Sequence, residues 1–364
     1  MARAIPGYAP AFEIVIAGET LRLGETVDVM SLRLTETVNQ PDSFQMTLRE
    51  HHPDVGRLFA GGDRLRWMDI LALDEYSEVE IYLGYVDETT LSLLGEITAV
   101  SLNFPASAQP VVTVQGLSLY GRLQRRTCHK PVKSKTDSDV AKEIAAIFKL
   151  DADVDPTTSE HPLITTNGKS YAAILLERAE RIGYEVAVKD SCLVFKMPGY
   201  RSKPMPQMTL EWGRDLISFT PRLSTSKMPT EVTVRGTQTS RGGSKTPLVG
   251  TAKAGEERVK LGSQTITEIT RSKSIENAVL VSDHNVDSQE EAKEMALAQL
   301  ETRGMAYITG RGSCIGQPSL VARKVIALKG LGKLFSGNYY VVSTTHTIDS
   351  SGYRTDFDVK RNAR

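Results

Sequence analysis

The sequence predicts a mainly β protein interrupted by a small α/β segment. Three observations carry that reading. In the first and last thirds of the 364 residues, short runs alternate apolar and polar side chains, the two-residue period of half-buried strands. Turn residues separate these runs, and many short strands spaced by turns mark a barrel or a sandwich. Between the two β-rich stretches the apolar spacing lengthens to that of amphipathic helices. The layout of β-rich, α/β and β-rich segments is compatible with two related barrels.

Taken in chain order, Phe12, Ile14 and Ile16 form the first alternating run, which stops at Ala17-Gly18-Glu19. Phe44, Met46 and Leu48 make another, as do Val79, Ile81 and Leu83, and Val112 and Val114 begin one closed by Gly116. The composition changes near Arg125. Ser138 is expected to cap a helix with Val140, Ile144, Ile147 and Phe148 on one face. Ser170 starts a second helix, with Tyr171, Ile174, Leu175, Ala179 and Ile182 on its stripe and Gly183 at its C-terminal end. Glu177 and Arg181 sit one turn apart, so the face holding Glu177, Arg178, Glu180 and Arg181 reads as solvated or as an interface rim. A hairpin around Lys189-Asp190-Ser191 follows, then a linker over residues 200–207. Strands resume at 217–219 and 231–235. Residues 236–274, rich in Gly, Ser, Thr and Lys, read as a long loop or an irregular extension of strands. Ser288 and Glu291 have the spacing of a capping box for a helix over 288–303.

The chain closes on a hairpin. Tyr353, Thr355, Phe357 and Val359 point one way, and Arg354, Asp356, Asp358 and Lys360 the other. Asp349-Ser350-Ser351-Gly352 supplies the turn. His346 falls in the preceding strand, on a face read as Tyr340, Val342, Thr344 and Ile348, and is expected as a packed, hydrogen-bonded wall residue.

Lys plus Arg and Asp plus Glu are 44 each, so the chain has no overall basic footprint for nucleic acid. Hydrophobic residues make up 40% and charged residues 24%, ample for a core. Cys128, Cys192 and Cys314 are odd in number, far apart and without a CxxC, as expected of free thiols in a reducing compartment. The N-terminal residues have no signal-peptide pattern, and no apolar run has the length of a membrane span. The expectation is a protein assembled in the cytoplasm, with no membrane insertion and no specific nucleic-acid binding.

No motif for catalysis or metal binding stands out, so no catalytic, cofactor-binding or metal-ligating residue is predicted. Gly168-Lys169-Ser170 resembles the end of a phosphate loop, but the upstream glycine would fall at Leu163, so a turn and a helix cap are expected. The glycines of residues 310–316 fit no dinucleotide fingerprint and read as a glycine-loosened strand. His51 and His52 precede Pro53 and read as a surface turn. Cys128 and His129, adjacent in an extended segment, point to opposite faces and do not form a nucleophile–base pair.

Three blocks together resemble a known family. The first is Gly84-Tyr85 ending one strand, followed by Leu94-Gly95-Glu96-Ile97-Thr98. The second is the helix closing on Ile182-Gly183-Tyr184, followed by Leu193-Val194-Phe195. Here Ala173-Ile174 departs from the aromatic–leucine pair usual in the family. The third is the closing hairpin with Phe335, Gly337, Tyr339, Val341, His346, Tyr353 and Thr355. In this order they resemble the phage late control protein D / VgrG-like baseplate hub family of contractile tails and contractile injection systems.

The resemblance implies two tube-like antiparallel β-barrel domains, residues 1–125 and 205–364, flanking a small α/β domain, residues 126–204. It implies a structural hub and not an enzyme: a homotrimer around a central channel, joining the six-fold tail tube, or a tube-initiator protein, to a trimeric spike, with baseplate wedge proteins around it. No cofactor is implied. The sequence ends just after the final hairpin, so the spike is expected as a separate protein. The expected location is a phage tail, virion or phage-tail-like particle. The alternatives are a tail-associated cell-wall hydrolase, which needs an acidic pair in a cleft, and a carbohydrate- or protein-binding β module.

Overall fold

The computed structural model describes residues 9–20, 29–50, 67, 76–86, 88–106, 110–202, 204–226, 228–239, 245–273, 276–282 and 286–364. His51 and His52 lie outside these residues. The N-terminal β half contains β1 (Pro10–Ile16), β2 (Glu19–Thr20), β3 (Val29–Thr37), β4 (Ser43–Arg49), β5 (Glu78–Tyr85), β6 (Glu88–Asn103) and β7 (Val111–Ser118). The α/β insert follows: α1 (Tyr120–Arg125), β8 (Val132–Thr136), α2 (Asp137–Ile147), β9 (Asp151–Val154), β10 (Glu160–Ile164), α3 (Tyr171–Ile182), β11 (Glu185–Lys189), β12 (Cys192–Lys196) and α4 (Gly199–Ser202). Then come β13 (Met208–Glu211), β14 (Leu216–Leu223), β15 (Glu231–Thr239), β16 (Lys245–Lys253), α5 (Ile266–Ser272), β17 (Ala278–Ser282) and α6 (Gln289–Gly304). The chain closes with β18 (Ile308–Ile315), β19 (Val325–Lys329), α7 (Gly332–Phe335), β20 (Gly337–Asp349) and β21 (Gly352–Arg361).

The protein is mainly β, with large antiparallel sheets and few helices. The two β-rich stretches are halves of one thirteen-stranded sheet, ordered β14-β18-β21-β20-β3-β4-β7-β6-β5-β1-β2, with β19 and β13 attached beside β20. The seam is the antiparallel pair β20–β3, in which Thr345 faces Thr35, His346 faces Leu34 and Ile348 faces Leu32. Each half has its own core. Ile14, Leu32, Phe44, Met46, Leu48 and Val114 fill the first, and Ile308, Leu328, Tyr339, Val341, Phe357 and Val359 the second. Burying each such side chain stabilises the fold by roughly 1.5–3 kcal/mol.

The closing hairpin forms as the alternation predicts. Tyr353, Thr355, Phe357 and Val359 are buried, and Gly352 turns the chain at φ 113°. One difference lies in β20, where a register shift between Val341 and Ser343 leaves Tyr340 and Val341 both buried. The bulge restarts the alternation, so Thr344, His346 and Ile348 face inward while Val342 is only half-buried.

Several local expectations are corrected. The cap of α2 is Thr136, whose side chain accepts from Asp139 N, and not Ser138. Ser288 does cap α6, but the Glu291 carboxylate accepts from Asp287 N at 2.8 Å. The complete capping box is at Thr265 and Glu268, inside the stretch read as a loop. Residues 236–274 instead hold the end of β15, strand β16 and helix α5. The glycine content that reads as disorder has a packing cause: a Cβ on Gly250 would overlap the backbone of Ala292, because α6 lies directly on the β16-β15-β17 sheet. The linker over 200–207 begins with α4, whose Tyr200 is buried against Tyr340 with ring centroids 5.0 Å apart.

The glycine-rich strand β18 is shaped by rings. Gly310 and Gly312 within it, and Gly316 just after it, lie under Phe219, Phe357 and Tyr353, each where a Cβ would overlap the ring. Gly116 in β7 seats Phe44 and the Glu96 carbonyl in the same way. The Gly116→Ala variant is expected to lose about 2 kcal/mol through overpacking, read from the urea midpoint. Gly304→Ala, whose nearest neighbour would be 3.9 Å away, should leave stability unchanged or gain up to about 1 kcal/mol from helix propensity.

Candidate functional site

The residues singled out in sequence gather around the seam and at two outlying points. Gly95 and Ile97 lie in β6, where Gly95 lets the Leu117 carbonyl approach and Ile97 is buried. Gly183 ends α3 in the left-handed region at φ 66°, and Tyr184 packs on Phe195 at 5.5 Å. Phe335, Gly337, Tyr339 and Val341 belong to one assembly. Tyr339 Oη donates to Phe335 O at 2.7 Å, and the Arg361 guanidinium lies 4.6 Å over the Tyr339 ring. Arg361 also donates to Ser336 O at 3.0 Å, and a side chain on Gly337 would collide with it.

His346, Tyr353 and Thr355 meet in a buried triad. His346 Nδ1 is 2.9 Å from Tyr353 Oη and 3.1 Å from Thr355 Oγ1. Thr355 Oγ1 also accepts from Gln317 N at 3.0 Å. Burial holds the His346 ring below its ordinary proton affinity, and burial lifts the Tyr353 phenol well above its own. Both groups are therefore neutral at physiological pH. They form a hydrogen-bonded strut of the wall.

Beside the seam, charged groups from all three parts of the chain converge. Glu36 accepts from Ala322 N at 3.0 Å and lies 3.9 Å from Lys189 Nζ. Arg323 donates to Thr37 O at 3.3 Å and stands 3.5 Å from Asp42. Tyr340 Oη donates to Glu185 at 2.5 Å, and Val186 N donates to Asn39 Oδ1 at 2.9 Å. Burial pushes Asp42 up to about 7 despite Arg323, and burial raises Glu185 as well. These contacts orient the insert against both β halves.

The face of the sheet turned away from the cores is polar and close to neutral. Thr35 and Thr345 hydroxyls lie 3.3 Å apart, those of Thr37 and Ser343 2.9 Å, and Gln115 donates to Gln45 at 3.2 Å. Some charges on this face are paired: Arg311 with Asp358 across strands at 3.0 Å and Arg354 with Asp356 along one strand at 3.4 Å. A shallow groove of about 340 Å³ there is lined by Arg33, Thr35, Gln45, Thr98 and Gln115. Thr98 is the signature residue on this exposed surface.

Nucleophile chemistry does not assemble. Buried Cys128 donates to Lys130 O at 3.4 Å, while exposed His129 pairs with Thr127 at 3.0 Å. Gly168 is a turn residue at φ 71°, Lys169 pairs with Glu177, and Ser170 caps α3 by accepting from Ala173 N at 3.2 Å.

Sequence reading missed one cluster. Arg178 and Arg181, expected on a solvated face or an interface rim, are buried. His161 Nδ1 lies 3.0 Å from Asp287 and Nε2 lies 3.3 Å from Asp137. Arg178 Nε contacts Asp137 at 2.5 Å, and Arg181 contacts Glu291 at 2.9 Å. His161, Asp287 and Glu291 have ligand atoms within 4.8 Å of one another. Arg178 and Arg181 already hold Asp137 and Glu291, so the arrangement is an ion-pair cluster locking α2 and α3 to α6. Burial alone would lower the histidine. With three carboxylates against two guanidiniums, however, its proton completes neutrality, and Asp137 and Asp287 carry it up to about 9. Arg178 Nη2 lies 2.5 Å from Nε2, a contact that only the neutral ring accepts. Protonation hands that nitrogen to Asp137.

The sign follows from linkage. A histidine held above its ordinary 6.5 contributes stability that is complete below 6.5 and lost as pH rises through about 9. Urea unfolding across that window should show a steeper loss for the natural chain than for His161→Gln. Equal slopes would place the proton elsewhere.

Comparison with solved structures finds the same fold in a tail protein from Neisseria meningitidis MC58, at 15% identity and TM-score 0.69, covering 97% of each chain. The 43 kDa tail protein of prophage MuSo2 from Shewanella oneidensis matches at 10% identity and TM-score 0.70, covering 97% of this chain and 98% of that one. An Escherichia coli component of the type VI secretion system, described as structurally similar to phage T4 tail proteins, matches at 9% identity and TM-score 0.56. That match covers 93% of this chain and 74% of that one. At these identities the likeness is one of fold. No curated protein matches the chain in sequence. The family model described as the Alg8 N-terminal domain matches residues 9–350, nearly the whole chain, and the chain belongs to that family.

Proposed function

We propose that the chain is a structural hub subunit of a contractile tail or injection machine, three copies of which surround a central channel. The observation that carries this reading is the polar face around the seam, where Thr35 meets Thr345, Thr37 meets Ser343 and Gln115 meets Gln45. A conduit wall must be wetted without gripping what passes, and hydroxyl and amide groups meet that need. Tail proteins of the same fold support the assignment to a tail. In this reading the chain meets a tail tube or tube-initiator protein at one end and a separate spike at the other, with wedge proteins around it. The role is structural and not enzymatic.

The free edge of β14 supplies the means of association. Among the described residues β14 pairs only with β18. Its outer edge is open, with Ile217 and Leu223 exposed. Open edges with apolar residues recruit strands from other chains.

Native mass spectrometry of the 40.0 kDa chain should give a trimer, alone or with the tube and spike proteins. Ile217→Lys with Leu223→Lys should leave the melting temperature within a few degrees and shift the mass to monomer, since lysine on an edge blocks pairing. A monomer under every co-expression condition would overturn the hub reading.

A further inference from the structure

We propose that the groove between β8 and α2 docks an extended, acidic-aliphatic segment of another protein. This site lies in the insert, away from the polar face, and stands whether or not the chain is a hub. The groove has a volume of about 370 Å³. Its floor is Val140, Ile144, Ile174 and Tyr171, and its rim carries Ile147, 37% exposed.

Charge selects the partner. No Asp or Glu occurs from residue 97 through 136, while Arg122, Arg125, Arg126, Lys130, Lys133 and Lys135 fall within fourteen positions. Three of these already have carboxylate partners. Glu96 takes Arg122, at 2.6 Å, and Arg125, and Glu143 takes Lys135 at 2.6 Å. Arg126, Lys130 and Lys133 are exposed and have no carboxylate partner among the described residues. The mouth therefore presents a net positive charge over an aliphatic floor.

Backbone geometry selects an extended occupant. Among the described residues β8 pairs on one side only, with β10, which leaves its other edge unpaired beside the groove. A strand added there makes main-chain hydrogen bonds and sends alternate side chains into the groove, the usual mode of peptide capture at a sheet edge. Acidic residues at the intervening positions would meet Lys130 and Lys133. Nucleic acid fits less well, because it needs open aromatic faces for stacking. Tyr171 and Phe148 pack edge to face at 5.3 Å, and the Arg126 guanidinium covers both at 5.9 and 5.6 Å.

The test uses the full chain and a fluorescent peptide alternating aspartate with isoleucine, read by anisotropy. Saturable binding is expected, weakened about tenfold by Lys130→Glu with Lys133→Glu and weakened separately by Ile147→Asp, which adds charge at an exposed rim position without opening the core. Absence of saturable binding would overturn the proposal. So would equal binding of a lysine–isoleucine peptide, or preference for a single-stranded oligonucleotide with no response to Ile147→Asp.

Discussion

The pairing of β20 with β3 is the constraint on which the rest of the structure depends. It places residues 343–349 beside residues 31–37 and so joins the two β halves into one sheet. Without this ladder, the first seven strands and the last hairpin would each end in an open, partly apolar edge. With it, two cores are covered by one sheet, and Ile348 and Tyr353 from the C-terminal hairpin complete the N-terminal core. Contacts separated by some three hundred positions carry a loop-closure cost, which the two cores they join must offset.

That joint must also be oriented. A β ladder alone tolerates slippage where side chains are polar on one face, and this seam has Thr, Ser and Arg on its outer side. Register is held by features that cannot move by one residue. His346 sits between Tyr353 and Thr355, Glu36 accepts from the Ala322 backbone, and Arg323 reaches the Thr37 carbonyl. Each is expensive to bury and satisfied only in the observed register. Such groups contribute little net stability, because desolvation offsets their attraction, but a misregistered seam would leave them buried and unpaired. The same reasoning applies to the cluster of His161, Arg178, Arg181 and Glu291, which fixes how the insert faces α6.

Strand alternation made much of this architecture legible in the sequence. The closing hairpin, the turn at Gly352, the helix from Ser170 to Gly183 and the hairpin around Asp190 all follow from local patterns, because local chemistry determines them. The failures share a different cause. Arg178 and Arg181 lie on a helix face whose charges look solvated, and only the arrival of α6 from over a hundred residues away buries them. Residues 236–274 look disordered because the glycine needed under α6 and the polar groups of an exposed hairpin have the composition of a loop. The bulge after Val341 is equally silent, since Tyr340, Val341 and Val342 are all apolar and any alternation fits them. The polar face was legible only in part: alternation shows that Thr35, Gln45, Gln115 and Thr345 point outward, but their union into one surface depends on the seam.

The glycines of β18 connect these arguments. A strand with glycine at positions 310 and 312, and a third at 316 just after it, has poor intrinsic β propensity, yet it sits between β14 and β21. Phe219, Phe357 and Tyr353 lie across the glycines where side chains would otherwise be. The strand therefore gains its packing from its neighbours' rings, and its own backbone approaches them closely. The rings serve both cores: Tyr353 belongs to the N-terminal one and Phe357 to the C-terminal one, and Phe219, on the edge strand β14, packs against Tyr339 at 5.7 Å. An edge strand held by a buried aromatic contact keeps its twist and spacing while its outer hydrogen-bonding groups stay open. A rigid, pre-shaped edge costs less to dock than a mobile one, because the ordering entropy is already spent in folding. The packing that compensates for three glycines thus also leaves β14 fit to receive a neighbouring strand.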